Sequence, residues 1–185
     1  MGKKTENNSL FYFPGNLVAT FKIRRRILGK VDLQKTVYFM KRLGVPIPFE
    51  FRWNILGPYS YDLKHHCDHL SVEDFFQYSG EYILNEKKAK TYPSNLKTEV
   101  RDRIEKFFGR IDEICERHQF DRVSLIECAA SLDFINENAP EGIARANERK
   151  TVIYSLLNHL KPEKAELFST LREDAWNLLD DEGLI

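Results

Sequence analysis

The sequence is short of cysteine, of long apolar runs and of net charge, and each shortage closes off a class of protein. Its three cysteines, Cys67, Cys115 and Cys128, are an odd, sparse set at no metal-site spacing. They predict reduced thiols in a cytoplasm rather than a disulfide framework, each a small buried hydrophobe. No apolar stretch approaches the roughly 20 residues of a membrane span, so no membrane partner is expected. The opening MGKKTENNS is polar and leads into no apolar run with a small-residue cleavage site, so no secretory signal is expected either. The usual catalytic signatures are missing: there is no phosphate-cradling glycine loop, no GxSxG, no Cys-x-x-Cys and no HExxH. Ser, His and Asp occur, but at no spacing that suggests a triad. The expectation is a cytoplasmic protein that is not an enzyme and needs no cofactor.

What is present is a chain with 42% hydrophobic residues spread along its whole length. That is enough for one compact domain or two small ones sharing a core. The zero net charge hides an asymmetry. Residues 1–70 hold twelve Lys and Arg against five Asp and Glu, and residues 71–185 hold sixteen against twenty-three. A basic front and an acidic back can serve an anionic partner, or can let the two halves dock on each other.

Residues 1–15 read as a flexible arm, in which Phe11, Tyr12, Phe13 and Pro14 could pack across a neighbouring subunit of a homo-oligomer. Asn16 is expected to cap a first helix through about Leu28, ended by Gly29, and Asp32 to cap a second through Leu43. Gly44, Pro46 and Pro48 stop that helix. The alternation of Phe49 through Ile55 predicts a strand, with the aromatic residues in the core rather than forming a base-stacking platform. Ser60 can cap a third helix from Tyr61 to about Leu70, with Leu63, Cys67 and Leu70 inward and Tyr61, Lys64, His65 and Asp68 outward. Tyr82–Leu84 and Ala89–Tyr92 suggest a hairpin turning at Asn85–Lys88. Four amphipathic helices follow: Val100 to His118, Asp121 to Ile135, one holding Ile153 to Leu160, and one holding Leu167 to Leu178. The predicted fold is mainly α with a little β. A winged-helix-like unit at 16–95 is followed by a helical extension at 96–185.

The run Leu33-Gln34-Lys35-Thr36-Val37-Tyr38, then Gly57-Pro58-Tyr59-Ser60-Tyr61-Asp62-Leu63, resembles a group of small bacterial and archaeal winged-helix-like proteins with an "LQKLVY" helix and a "GPYS" turn. Leu125–Ser131 and the segment from Lys161-Pro162 to Leu179 fit the same group, so the likeness covers most of residues 30–182. More distantly the chain resembles antitoxins and adaptors with a SocA-type or Panacea domain, although Tyr59 and Ser60 depart from that domain's usual continuation. The resemblance implies a regulator or adaptor that neutralises or recruits a protein partner, and supplies no catalytic residues.

Three sets of residues are candidates for function. Arg24, Arg25 and Arg26, with Lys64 and His65 on the third helix, would suit phosphate contacts to DNA or RNA, the second choice of partner. Against that, Asp62 and Asp68 repel phosphate. Tyr59, Tyr61 and Lys64 would suit a protein partner, the first choice. His65 and His69, four apart on one helix face, could share a metal ion if a further ligand came from elsewhere, which would make a metal-dependent enzyme the third reading. The acidic residues Glu173, Asp174, Asp180, Asp181 and Glu182 oppose the helix dipole and read as a solvated surface.

Overall fold

Capping residues and prolines account for many of the element boundaries. The computed structural model describes residues 3–24, 26–140 and 146–185. In chain order they form α1 (Lys3–Arg24), α2 (Gly29–Arg42), β1 (Arg52–Asn54), β2 (Gly57–Tyr59), α3 (Tyr61–Val72), β3 (Phe76–Tyr78), β4 (Tyr82–Leu84), α4 (Glu86–Ala89), α5 (Thr98–His118), α6 (Arg122–Glu137), α7 (Ala146–Leu160) and α8 (Ala165–Asp181), with a 3-10 turn at Pro162–Lys164. The protein is mainly helical, with two small two-stranded sheets, β1–β2 and β3–β4. No helix among the described residues is long and apolar enough to cross a membrane.

The chain divides into two compact units: Met1–Phe51 with Tyr59–Phe108, and Arg52–Pro58 with Gly109–Ile185. The expected boundary near residue 95 lies instead within α5, and a short segment around the β1–β2 hairpin belongs to the second unit.

In the first unit α1 begins at Lys3, well before Asn16, so the described part of the expected arm is helical. Asn16 does not cap it. Its side chain is buried, donating to Asn95 Oδ1 (2.9 Å) and accepting from Ser94 Oγ (2.8 Å) and Asn95 N (3.1 Å). The neighbouring Gly15 has no side chain because none fits: a Cβ there would lie 2.0 Å from the carbonyl oxygen of Pro93. Phe13, Leu17 and Phe21 line the buried side of α1. Phe13 meets Phe49 and His66 edge-on at 4.9 and 5.4 Å.

Asp32 does not cap α2 either; the cap position is Leu28. From inside the first turn Asp32 reaches back and accepts from the Leu28 N–H at 2.7 Å, which satisfies the amide of the cap residue. The strand expected over Phe49–Ile55 forms only at Arg52–Asn54, with Phe49 buried, Phe51 and Trp53 half-buried and Ile55 69% exposed; the buried alternation lies upstream, at Val45, Ile47 and Phe49. Pro46 and Pro48 lack the N–H that a ladder needs, and pairing starts only at Arg52.

Helix α3 begins where expected, with Ser60 Oγ accepting from Leu63 N (3.2 Å) and with Leu63, Cys67 and Leu70 buried. The hairpin lies earlier than expected. Tyr82–Leu84 does form a strand, but its partner is Phe76–Tyr78, in the register Phe76–Leu84, Gln77–Ile83 and Tyr78–Tyr82. The turn uses Gly80 at φ 84°, a conformation glycine adopts without penalty. Asn85, expected in the turn, caps α4 by accepting from Lys87 N and Lys88 N. Ala89–Tyr92 is therefore not a strand. Ile27 bridges to Tyr82 on the other side of the hairpin, so the order helix, helix, strand, helix, hairpin stands while β1 pairs with β2 rather than with the wing.

In the second unit Asp121 caps α6 as expected, accepting from Ser124 N at 2.7 Å. Leu125 to Asp133 are buried without a break. Among the described residues α6 packs on α8 more extensively than on any other element. Leu171, Ala175 and Leu178 face this core, whereas Leu167, expected with them, is 42% exposed. A buried charged cluster completes the unit. Glu127 accepts from Lys161 Nζ and Lys164 Nζ, each at 2.5 Å, and Lys161 also donates to the Ile55 carbonyl at the tip of the β1–β2 hairpin (2.8 Å).

Candidate protein-docking face

The two motifs that carry the family resemblance meet in the first unit. Gln34, on α2, is buried, and its carboxamide spans the backbone of Ser60: Nε2 donates to Ser60 O and Oε1 accepts from Ser60 N, both at 2.9 Å. Ser60 in turn caps α3. The Tyr59-Ser60-Tyr61 segment is thus clamped from both sides, by its own helix and by α2.

On that clamped backbone Tyr59 and Tyr61 meet edge-on, ring centroids 5.1 Å apart, and Tyr61 is 62% exposed. Beside them is a small hollow of about 20 Å³ lined by Lys30, Gln34, Tyr59, Lys64, Asp68 and Tyr82 among others. Such a volume holds about one water molecule, so the region is a face and not a pocket. Tyr82 contacts Tyr78 at 5.0 Å, and Lys30 Nζ lies 5.9 Å above the Tyr78 ring. Burial raises the pKa of the Tyr59 hydroxyl, with Lys64 opposing it. The Tyr59 hydroxyl therefore stays protonated and can donate a hydrogen bond at neutral pH.

The charges here are largely matched. Lys64 Nζ is 2.6 Å from Asp68 Oδ2. That hydrogen bond raises the lysine's pKa and lowers the aspartate's. His65 is exposed alongside.

The arginine run does not form one surface. Arg24 is not exposed, as a phosphate contact requires. It is 1% accessible, donates from Nη2 to Asp32 Oδ1 at 2.6 Å, and lies 4.5 Å over the Phe108 ring. Arg25 lies outside the described residues. Arg26 is exposed but paired with Glu81 at 2.8 Å. Helix α1 ends at Arg24, so Arg26 lies beyond it, and the two side chains go to different partners.

His65 and His69 are both exposed on α3. Among the described residues no group of three His, Cys, Asp or Glu side chains is placed to hold a metal ion. His66, between them, turns inward against Phe13 and Phe49, and its Nε2 has no hydrogen-bond partner among the described residues. Burial lowers its pKa. Burial likewise pushes the Cys67 thiol up to about 12, so it is not an activated nucleophile.

Four of the five acidic C-terminal residues meet a basic side chain. Glu173 pairs with Lys150, Asp174 with His118, and Asp181 and Glu182 with Arg110.

Two features went unseen in the sequence. One is a groove of about 610 Å³ lined by Phe21, Lys22, Arg26, Tyr82, Ile83 and Glu86 among others. The other is the Glu127–Lys161–Lys164 cluster. Neither has a local motif, because each joins residues from distant parts of the chain. No protein-family model, curated protein or solved structure matches this chain.

Proposed function

We propose that the protein is a non-enzymatic regulator or adaptor that acts by binding another protein through the tyrosine face of its first unit. One observation carries this reading: the exposed Tyr61, against the half-buried Tyr59, stands on a backbone clamped by Gln34 and Ser60. Tyrosine offers a large, rigid, amphipathic contact at low entropic cost, and it is enriched at protein interfaces. A clamped backbone lowers the cost of ordering further. The cations offered for nucleic acid support that role poorly, because Arg24 is buried and Arg26 and Lys64 are matched by acids. The finer form, an antitoxin-like neutraliser in a cytoplasm, rests on the resemblance of residues 30–182 alone.

The test joins two measurements. The tagged protein is recovered from its native cell and its partners are identified, with Tyr61→Ala in parallel; separately, binding to random duplex DNA is followed across a salt series. A protein partner retained by the wild type and lost in the variant, with no salt-dependent DNA binding, is the expected outcome. Micromolar DNA binding that weakens steeply with salt, with no partner lost on Tyr61→Ala, overturns the reading in favour of a nucleic-acid regulator.

A further inference from the structure

We infer that the tyrosine face takes an extended acidic segment of the partner protein, one carboxylate resting on the Lys30 ammonium and apolar or proline side chains lying along the tyrosines. The inference deepens the proposed function and rests on it.

The tyrosines form a row. Tyr61 touches Tyr59; Tyr59 and Tyr82 share the hollow; Tyr82 touches Tyr78, which is 49% exposed. A row with a hollow of only about 20 Å³ has no room for a helix or a deep anchor residue. A shallow aromatic track suits an extended chain whose side chains lie on the rings, and proline-rich segments are read in this way.

The sign of the partner follows from the charge left over. Along this row Lys64 is spent on Asp68 and Arg26 on Glu81. Lys30 is exposed and has no salt bridge among the described residues; Asp68 feels its charge but is hydrogen-bonded to Lys64. The face therefore presents one unmatched ammonium beside a tyrosine ring. It fits a discrete carboxylate better than a polyphosphate backbone, because one ammonium leaves successive phosphates unneutralised beside the exposed Asp62 on α3. A single unmatched charge steers and orients a partner more than it adds affinity.

The experiment is an amide-shift NMR titration of the full chain with a blocked Glu-Pro repeat octapeptide, a Lys-Pro repeat of equal length, and single-stranded oligothymidylate. The Glu-Pro peptide is expected to shift Lys30, Tyr59, Tyr61, Tyr78 and Tyr82, and the Lys-Pro peptide is not. Lys30→Glu, an exposed change that leaves the core untouched, should weaken the Glu-Pro peptide about tenfold and allow the Lys-Pro peptide to bind. Equal binding of both peptides, no response to Lys30→Glu, or no binding of the Glu-Pro peptide overturns the acidic-segment inference. In each of these cases loss of a native partner on Tyr61→Ala can still uphold the docking reading. Shifts at the same residues with oligothymidylate alone, and no partner lost on Tyr61→Ala, overturn both.

Discussion

Replacing Gln34 by methionine tests the clamp under the tyrosine face. Methionine keeps the length and volume of the side chain and removes its donor and acceptor, so water gains little room to substitute. Ser60 is 1% exposed. Its N–H donates only to Gln34 Oε1 among the described contacts, whereas its carbonyl also accepts from Lys64 N at 3.1 Å. The N–H is thus orphaned outright and the carbonyl keeps one partner. A buried orphan costs about 1–3 kcal/mol and one further lost hydrogen bond about 1 kcal/mol. The expected loss is about 2–4 kcal/mol, local to the start of α3. Because the chain has two compact units, a single melting temperature would mix them; hydrogen exchange read residue by residue is the suitable assay. The Leu63 and Lys64 amides, whose acceptors belong to Ser60, should lose protection about 30- to 1,000-fold. Gln34→Glu should lose less, since it still accepts from Ser60 N–H. Unchanged protection of Leu63 and Lys64 in Gln34→Met would refute the idea that the carboxamide holds the tyrosine segment.

Asp32→Ala leaves the Arg24 guanidinium buried without its carboxylate and frees the Leu28 N–H and Thr36 hydroxyl. The expected cost is about 3–5 kcal/mol, read from urea unfolding of the first unit, and a change under about 1 kcal/mol would contradict the burial argument. Arg24→Met combined with Asp32→Leu should recover much of that loss. His66 gives the first unit an acid sensitivity. Its folded pKa is lowered, so the unfolded chain takes up the proton first. The packing against Phe13 and Phe49 is fully available above the ordinary value of about 6.5 and is lost as pH falls through the lower folded value. Glu73 opposes the shift and His69 adds to it. The stability of first-unit amides, read residue by residue by hydrogen exchange at a series of pH values, should fall on this acid side, and His66→Phe should flatten the dependence; an unchanged profile would reject His66 as the source.

Strong local punctuation was readable. Ser60 and Asp121 are true caps, and the stripes of α5 through α8 follow three-four spacing with buried residues where the pattern placed most of them. Reading failed where a residue's usual local role was overridden by a distant partner. Asn16 has the chemistry of a cap, but Ser94 and Asn95 claim its side chain, and α1 runs on through Pro14 and Gly15. Asp32 has the same chemistry and is claimed by Arg24. Asn85 did act as a cap, of a short helix where a turn was expected. The alternation from Phe49 to Ile55 marked a strand of which only Arg52–Asn54 forms, and of its apolar side chains only Phe49 is fully buried. For the site, Tyr59, Tyr61 and Lys64 were named from the sequence. Lys30, Gln34, Tyr78 and Tyr82 were not, because only the fold brings α2 and the hairpin beside α3. The arginine run read as one patch because adjacency in sequence hides that Arg24 and Arg26 are claimed by different acids, Asp32 and Glu81.

The second unit is discontinuous, and that imposes a schedule on the growing chain. Its first piece, Arg52–Pro58, is synthesised before the remainder from Gly109 onward. The Ile55 carbonyl meets the Lys161 ammonium 106 positions later. At about 5–20 residues per second, the hairpin tip waits roughly 5–20 seconds on the ribosome before that partner exists. Slower elongation lengthens the interval in which this segment, with Ile55 at its tip, stands without its unit, and a chain cut after Phe108 would leave it stranded.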